Sequence, residues 1–352
     1  MGNTSSKKIL FLSHKFYPDI GGIEINSEIL AQQFHTNGCR VHLVTWSEDV
    51  KKKQFSYKVI RNPNFFTLIK EHMWADLIFE NNPSIRLVWP NFFLKRPLIT
   101  VLHTWINRVN GKISWKDKFK LKRLGMANQV IACSNAIKSR CWPSAIVINN
   151  PYQDEIFKVI PYISKKYDFV FLGRLVSDKG VNLAIRAVEI IISKNLKNAL
   201  PITISLTIIG DGPERKSLEE LVSTLRLEKN IKFTGALSGD KLVRCLNEHR
   251  FIIVPSLWEE PFGMVALEGM GCGCVPIVSD GGGLPEAICN AGLIFKRGNI
   301  DSLVSRVRSV LNDHCLEQKF RNAAPAQLKK HYQDVVAGIY LHYIEEALSN
   351  DK

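Results

Sequence analysis

Two acids, Glu260 and Glu268, bracket seven neutral and mostly apolar residues in E-E-P-F-G-M-V-A-L-E-G-M-G-C-G-C-V-P (259–276). The run F-I-I-V-P-S (251–256) precedes them and reads as a buried strand, so the segment from Gly263 onward reads as the helix that follows it. The first amides of such a helix have no internal partner, and the helix dipole adds positive charge there. That end suits a phosphate group. Glu260 then lies in the loop before the helix and Glu268 on its second turn, and a carboxylate accepts paired hydroxyl hydrogen bonds well. One acid on a ribose and the other on a sugar, with a diphosphate between, is the chemistry this spacing allows.

Other residues could serve the same anion. Arg174 and Lys179 sit in G-R-L-V-S-D-K-G (173–180), a turn after a strand, where a planar guanidinium and a point-charge ammonium could hold a diphosphate. Gly21 and Gly22 follow the first apolar strand, where a doubly wound fold places its phosphate-contacting turn. His103 ends the strand P-L-I-T-V-L-H (97–103). No D-x-D and no His/Cys ligand spacing occurs, so no metal is expected. The eight cysteines are scattered and read as a buried, reduced set.

Short apolar runs alternate with helical periodicity along the chain, which predicts parallel sheets covered on both faces. K-I-L-F-L-S (8–13) is a strand and 23–37 a helix; the alternation restarts at Y-D-F-V-F-L-G-R-L (167–175). The fold class expected is α/β, with two doubly wound Rossmann-like domains and a ligand in the cleft between them, outside the carboxyl ends of the strands. The boundaries read as 1–160 for an N-terminal domain and 161–333 for a C-terminal domain. A last helix over 334–352 would return toward the N-terminal domain.

E-P-F-G-M-V-A-L-E (260–268) resembles the acid–seven–acid motif of retaining glycosyltransferases of family 4, which have the GT-B fold. F-Y-P-D-I-G-G-I-E (16–24) is similar to that family's N-terminal glycine loop, and 173–180 to its Arg–Lys donor site. I-I-G-D-G-P-E (208–214) and F-T-G (233–235) resemble elements around its nucleotide pocket, and S-D-G-G-G-L-P-E (279–286) resembles its next glycine turn. The resemblance implies donor binding by Gly21, Gly22, Arg174, Lys179, Glu260, Phe262, Gly263, Met264, Val265 and Glu268. It gives Glu260, His103, Arg174 and Lys179 to the catalytic group, with no metal and no cofactor. The substrate it implies is a nucleoside-diphosphate sugar, a UDP-sugar ahead of GDP-mannose, whose hexose or N-acetylhexosamine passes to a glycan or lipid-linked acceptor. Met264 and the doubled cysteine of G-C-G-C depart from the usual pattern and bear on pocket shape.

Of 352 residues, 45% are hydrophobic and 23% charged, as in globular proteins, and no apolar run is long enough to span a bilayer. The net charge of +14 is uneven. Residues 1–160 hold 23 Lys+Arg against 11 Asp+Glu, while the rest hold 24 against 22. A basic half calls for an anionic partner. R-V-N-G-K-I-S-W-K-D-K-F-K-L-K-R-L-G (108–125) is its densest part. On a helix, Trp115 and Phe119 share a side flanked by Lys116, Lys118, Lys122 and Arg123, and these six are the expected contacts with an anionic membrane. The location expected is cytoplasmic, peripheral on the inner face of the cytoplasmic membrane, in cell-surface polysaccharide or lipopolysaccharide synthesis. No nucleic-acid motif is present. A GT-B epimerase or phosphorylase, and a non-catalytic basic binding protein, are the competing readings.

Overall fold

The structure, a computed structural model, describes residues 6–19, 21–49, 52–106, 115–196 and 204–349. The side chains of 115–117, 119 and 194–196 lie outside that description. The chain divides into two compact units, Met1–Pro151 with His331–Lys352, and Tyr152–Lys330.

In the first unit the apolar runs form strands β1 (Lys8–Leu12), β2 (Arg40–Thr45), β3 (Lys58–Arg61), β4 (Leu77–Asn81), β5 (Leu98–Leu102), β6 (Gln129–Ala132) and β7 (Ile146–Val147). They make one sheet in the order β3-β2-β1-β4-β5-β6-β7, with every pair parallel. Successive side chains point to opposite faces, so each strand feeds two cores. Ile9, Phe11 and Phe79 enter one, while Leu10, Leu12 and Ile78 enter the other. The last helix, Gln333–Ser349, supplies Val336, Tyr340, Ile344 and Ala347 to the first of these cores. The Tyr340 ring stands 5.6 Å from Phe79 and 6.4 Å from Phe34, in edge-to-face contacts.

The second unit repeats the plan with β8 (Tyr167–Leu172), β9 (Leu206–Ile209), β10 (Ile231–Gly235), β11 (His249–Val254), β12 (Val275–Ser279) and β13 (Leu293–Phe295). The order is β10-β9-β8-β11-β12-β13, again with parallel pairs throughout. Strand order reverses between β1 and β4 in one unit and between β8 and β11 in the other. Such reversals open a crevice at the carboxyl ends of the strands.

The unit boundaries differ from those read in the sequence. Tyr152 to Ile160 pack with the second unit: Asn247 donates Nδ2 to the Lys158 carbonyl at 3.0 Å and accepts from the Ile160 amide at 2.8 Å. Buried Tyr152 and Phe157 press against the hydrogen-only face of Gly271. At the other end, His331 sits in the first unit, with Nδ1 3.1 Å from the Asn150 carbonyl. The cysteines are free, but Cys289 and Cys315 are exposed rather than buried, one ending a short helix and the other on the outer side of His314–Lys329. No helix among the described residues is long and apolar enough to cross a membrane.

The Tyr340 hydroxyl is buried and meets no hydrogen-bond partner among the described residues. Tyr340→Phe should therefore raise the denaturant midpoint, by about 1 kcal/mol in unfolding free energy, because it removes an uncompensated polar group and keeps the ring packing.

Candidate active site

The loops after β8, β11 and β12 are tied together by backbone. The Asp178 carbonyl accepts from the amides of Leu257 (2.8 Å) and Trp258 (3.1 Å), which joins the turn after β8 to the loop after β11. The Glu260 carbonyl accepts from the Gly283 amide at 2.7 Å, which joins that loop to the glycine turn after β12. Gly282 makes the second join possible. Its φ is +65°, and a Cβ there would stand 2.0 Å from the Glu260 carbonyl oxygen.

Glu260 is thereby fixed in its main chain, and its side chain is held as well. Oε1 accepts from Ser256 Oγ at 2.6 Å and from Lys179 Nζ at 2.5 Å. The ammonium and the carboxylate read in the sequence as separate ligand contacts are thus an ion pair, with both groups largely out of solvent. Ser256 carries no motif in the sequence. Its only signal is its place at the end of β11, four residues before the acid.

Gly263 caps the helix Met264–Gly271 with φ +119°, a value that excludes most side chains, and a Cβ there would meet Leu284 Cδ2 at 2.5 Å. No side chain caps this helix. Its first amides, those of Met264 and Val265, are the orphans expected at a helix start. Phe262 and the Met264 side chain are buried beneath the turn, and Val265 is half-buried.

Glu268 is buried at 7% exposure, and its carboxyl has no hydrogen bond or ion pair among the described residues. Burial pushes its pKa up to about 7. Arg174 is exposed, and its guanidinium likewise has no partner among the described residues. The second unit thus brings a free cation, a paired cation, an uncapped helix start and an unpartnered acid to the carboxyl ends of β8 and β11.

The first unit holds the remaining candidates. Gly21 is the N-cap of the helix Gly22–Thr36, in extended conformation at φ −178°, just past the carboxyl end of β1. His103 follows β5 and is buried at 4% exposure. Its Nε2 lies 2.7 Å from Asn81 Oδ1, and Asn81 donates Nδ2 to Ser27 Oγ at 2.7 Å. Burial pushes the imidazole down to about 3, with Asn150 acting weakly against it. The ring is therefore neutral at physiological pH. It donates from Nε2 to Asn81, which leaves the Nδ1 lone pair without a partner among the described residues. Asn81, the strand-end residue that orients the ring, went unread in the sequence.

The expected membrane contacts need one correction. Arg123 is buried, and its Nη1 donates to Glu80 Oε2 at 2.8 Å in an ion pair shielded from solvent. Thr100 Oγ1 and the Ser84 amide complete the Glu80 carboxylate. Arg123 anchors the helix Trp115–Leu124 to β4 instead of facing outward. Lys118 and Lys122 are exposed; the side chains of Trp115, Lys116 and Phe119 lie outside the described residues. No group of three His, Cys, Asp or Glu side chains among the described residues is disposed to hold a metal ion.

Two parallel-sheet Rossmann-like units, with cations and acids at the carboxyl ends of their strands, define the GT-B class of glycosyltransferases. The family of group 1 glycosyl transferases matches residues 152–327, half of the chain, and the protein belongs to it. An uncharacterized glycosyltransferase of Methanocaldococcus jannaschii is 26% identical over 92% of this chain and 94% of its own length. The phosphatidylinositol N-acetylglucosaminyltransferase GPI3 subunit of Saccharomyces cerevisiae is 22% identical over 86% of this chain and 75% of its own. Among solved structures, HepE of Anabaena in complex with UDP superposes with a TM-score of 0.81, at 19% identity over 96% of this chain and all of its own.

An acid whose pKa is raised on folding stabilises the fold only while protonated. Its contribution is complete below the unfolded value of 4.5 and is lost as pH rises through about 7. Glu268→Gln should remove this loss. Between about pH 5 and about pH 8, the native protein should lose up to about 3 kcal/mol relative to the variant, read as the difference in urea midpoints.

Proposed function

We propose that the protein transfers a hexose or N-acetylhexosamine from a nucleoside-diphosphate sugar to a glycan or lipid-linked acceptor, with retention of anomeric configuration, as a member of family 4. The observation that carries this reading is the Glu268 carboxyl, buried without a protein partner behind an uncapped helix start. A carboxylate left in that state is completed by ligand hydroxyls, and a ribose supplies two on adjacent carbons. The diphosphate then meets the amides of Met264 and Val265 and the free Arg174 guanidinium. Glu260 faces the transferred sugar, with Lys179 shared between it and the phosphate. These groups supply the positive charge that a leaving diphosphate needs, and we propose that the reaction uses no metal and no cofactor.

In the proposed step, the bond between the anomeric carbon and the diphosphate oxygen breaks as the acceptor hydroxyl attacks from the same face. The departing phosphate oxygen takes the hydroxyl proton, so the products are the glycoside and a nucleoside diphosphate. His103, neutral and oriented by Asn81, contributes a hydrogen-bond acceptor at Nδ1 for a hydroxyl and transfers no proton of its own. The UDP held by HepE supports uridine over guanosine. The lipid named as acceptor of the yeast relative supports a lipid-linked acceptor, as in cell-surface polysaccharide or lipopolysaccharide synthesis.

Calorimetry with UDP, GDP and ADP tests this reading. UDP should bind most tightly, and Glu268→Ala should weaken it. Binding should also strengthen from about pH 6 to about pH 8, because a hydroxyl that donates to Glu268 favours its ionised form, and Glu268→Gln should flatten that dependence. No binding at about millimolar nucleotide would sink the assignment. Turnover of a UDP-sugar should fall by about 10²–10³ in Arg174→Ala, since that cation is aimed at developing charge.

A further inference from the structure

Among the described residues of the first unit, large apolar side chains cluster at the surface away from the basic helix. The cluster lies on the helices Phe65–Trp74, Ile85–Val88 and Asn91–Leu94. Phe66 is 79% exposed and Phe93 77%, with Phe65, Met73 and Ile85 exposed beside them. These side chains form a connected surface. The helices Phe65–Trp74 and Asn91–Leu94 touch. The Phe65 ring stacks on Trp89 at 5.0 Å, and Arg96 Nη2 donates to the Met73 carbonyl at 3.0 Å. Beneath lies a single core, in which Leu68, Leu87, Val88 and Leu98 pack with Leu10, Leu12 and Ile78.

Exposed charge on residues 61–96 has one sign. Lys70, Arg86, Lys95 and Arg96 are exposed. The three acids of residues 61–96 are all withdrawn. Glu71 is buried against Lys58 and His42, Glu80 is buried on Arg123, and Asp76 accepts from the Lys8 amide. The basic helix Trp115–Leu124 joins the same sheet face. Glu80, its anchor point, alternates with Phe79 along β4 and so shares a face with Ile78, and Ala127 just past the helix packs into the same core. Exposed Lys118, Lys122 and Met126 therefore extend the surface.

We infer that this face is a docking surface for an anionic phospholipid bilayer. Phe65, Phe66, Met73 and Phe93 would enter the headgroup boundary, and Lys70, Lys95, Arg96 and Lys122 would pair with phosphates. Charge complementarity selects this occupant. The carboxylates of a partner protein would have to match these dispersed cations one by one, whereas an anionic leaflet supplies negative charge over the whole area. Large aromatic side chains among lysines are the composition of interfacial anchors. The contact surface moves from the Trp115–Phe119 side alone to a broader face centred on residues 65–96. The inference deepens the proposed lipid-linked acceptor and rests on it for its purpose. Membrane and nucleotide binding are therefore measured separately, and either can fail alone.

The test is flotation of the full chain with vesicles of phosphatidylcholine, with and without one-third phosphatidylglycerol, at low and high salt. The expected result is binding to the anionic vesicles at low salt and its loss at high salt. Phe66→Ser with Phe93→Ser should weaken partitioning by about tenfold or more. Lys70→Gln and Lys95→Gln should cost roughly fivefold each. All four side chains are exposed, so melting temperature and UDP affinity should stay at native values, which separates this face from the donor site. Unchanged flotation of the variants, or equal binding to neutral vesicles, would overturn the inference. So would a self-associated species that the double phenylalanine variant converts to monomer, since the face would then belong to a second copy of the chain.

Discussion

Parallel strands cannot be joined by tight hairpins; each connection must cross back over the sheet. That constraint organises both units. With β1, β4 and β5 parallel in one sheet and β8, β11 and β12 parallel in the other, every loop that follows a strand emerges on the same edge. Gly21, His103, Arg174, Glu260 and Gly282 are far apart in sequence, yet each lies just past a strand end of its own sheet. The chemistry did not need a special scaffold. It needed polar residues at strand ends and apolar residues within the strands, which is how this sequence is patterned.

Most of the strands, their grouping into two doubly wound units and the helix after β11 were legible because each rests on local periodicity; the short edge strands β3 and β13 were not read. Gly263 was legible too, as a glycine placed where a helix must start. Partners were not legible. Nothing in G-R-L-V-S-D-K-G announces that Lys179 reaches across to Glu260, and nothing in P-S-L-W-E-E announces that Ser256 holds the same carboxylate. Such contacts depend on how loops from different strands meet, here through the carbonyls of Asp178 and Glu260. The first domain was carried to residue 160, past the boundary after Pro151, for the same reason: Asn247 captures the segment 158–160 by side-chain hydrogen bonds made almost ninety residues along the chain.

The Lys179–Glu260 pair bears on how the proposed donor site would work. An ammonium already neutralised by a carboxylate presents less charge to an incoming phosphate than the free Arg174 does. A bound diphosphate would therefore share Lys179 with Glu260, and the carboxylate would be freer to accept from a sugar hydroxyl as the lysine turned. Ser256 would hold the carboxylate in place through that exchange. In the proposed site, Arg174 and the helix start would supply the attraction, while Lys179 and Glu260 would supply a contact that rearranges when the donor arrives.

Arg123 and Arg174 show why a charged residue has no fixed meaning in a sequence. Arg123 stands in the most basic stretch of the chain, beside lysines that do face outward. A single residue's step from Lys122, about 100° of helical phase, carries it onto β4, where Glu80 is already inside. Burial of either group alone would be strongly unfavourable, and together they make a fixed point. That fixed point holds the helix against the sheet face that also carries Phe66, Phe93 and Lys95. Arg174 follows a strand and makes no ion pair among the described residues, which leaves its charge available to the proposed donor. Where a cation ends up is decided by whether the fold has an acid waiting beneath it. In residues 65–96 the fold draws every acid inward, and it leaves Lys70, Arg86, Lys95 and Arg96 outside.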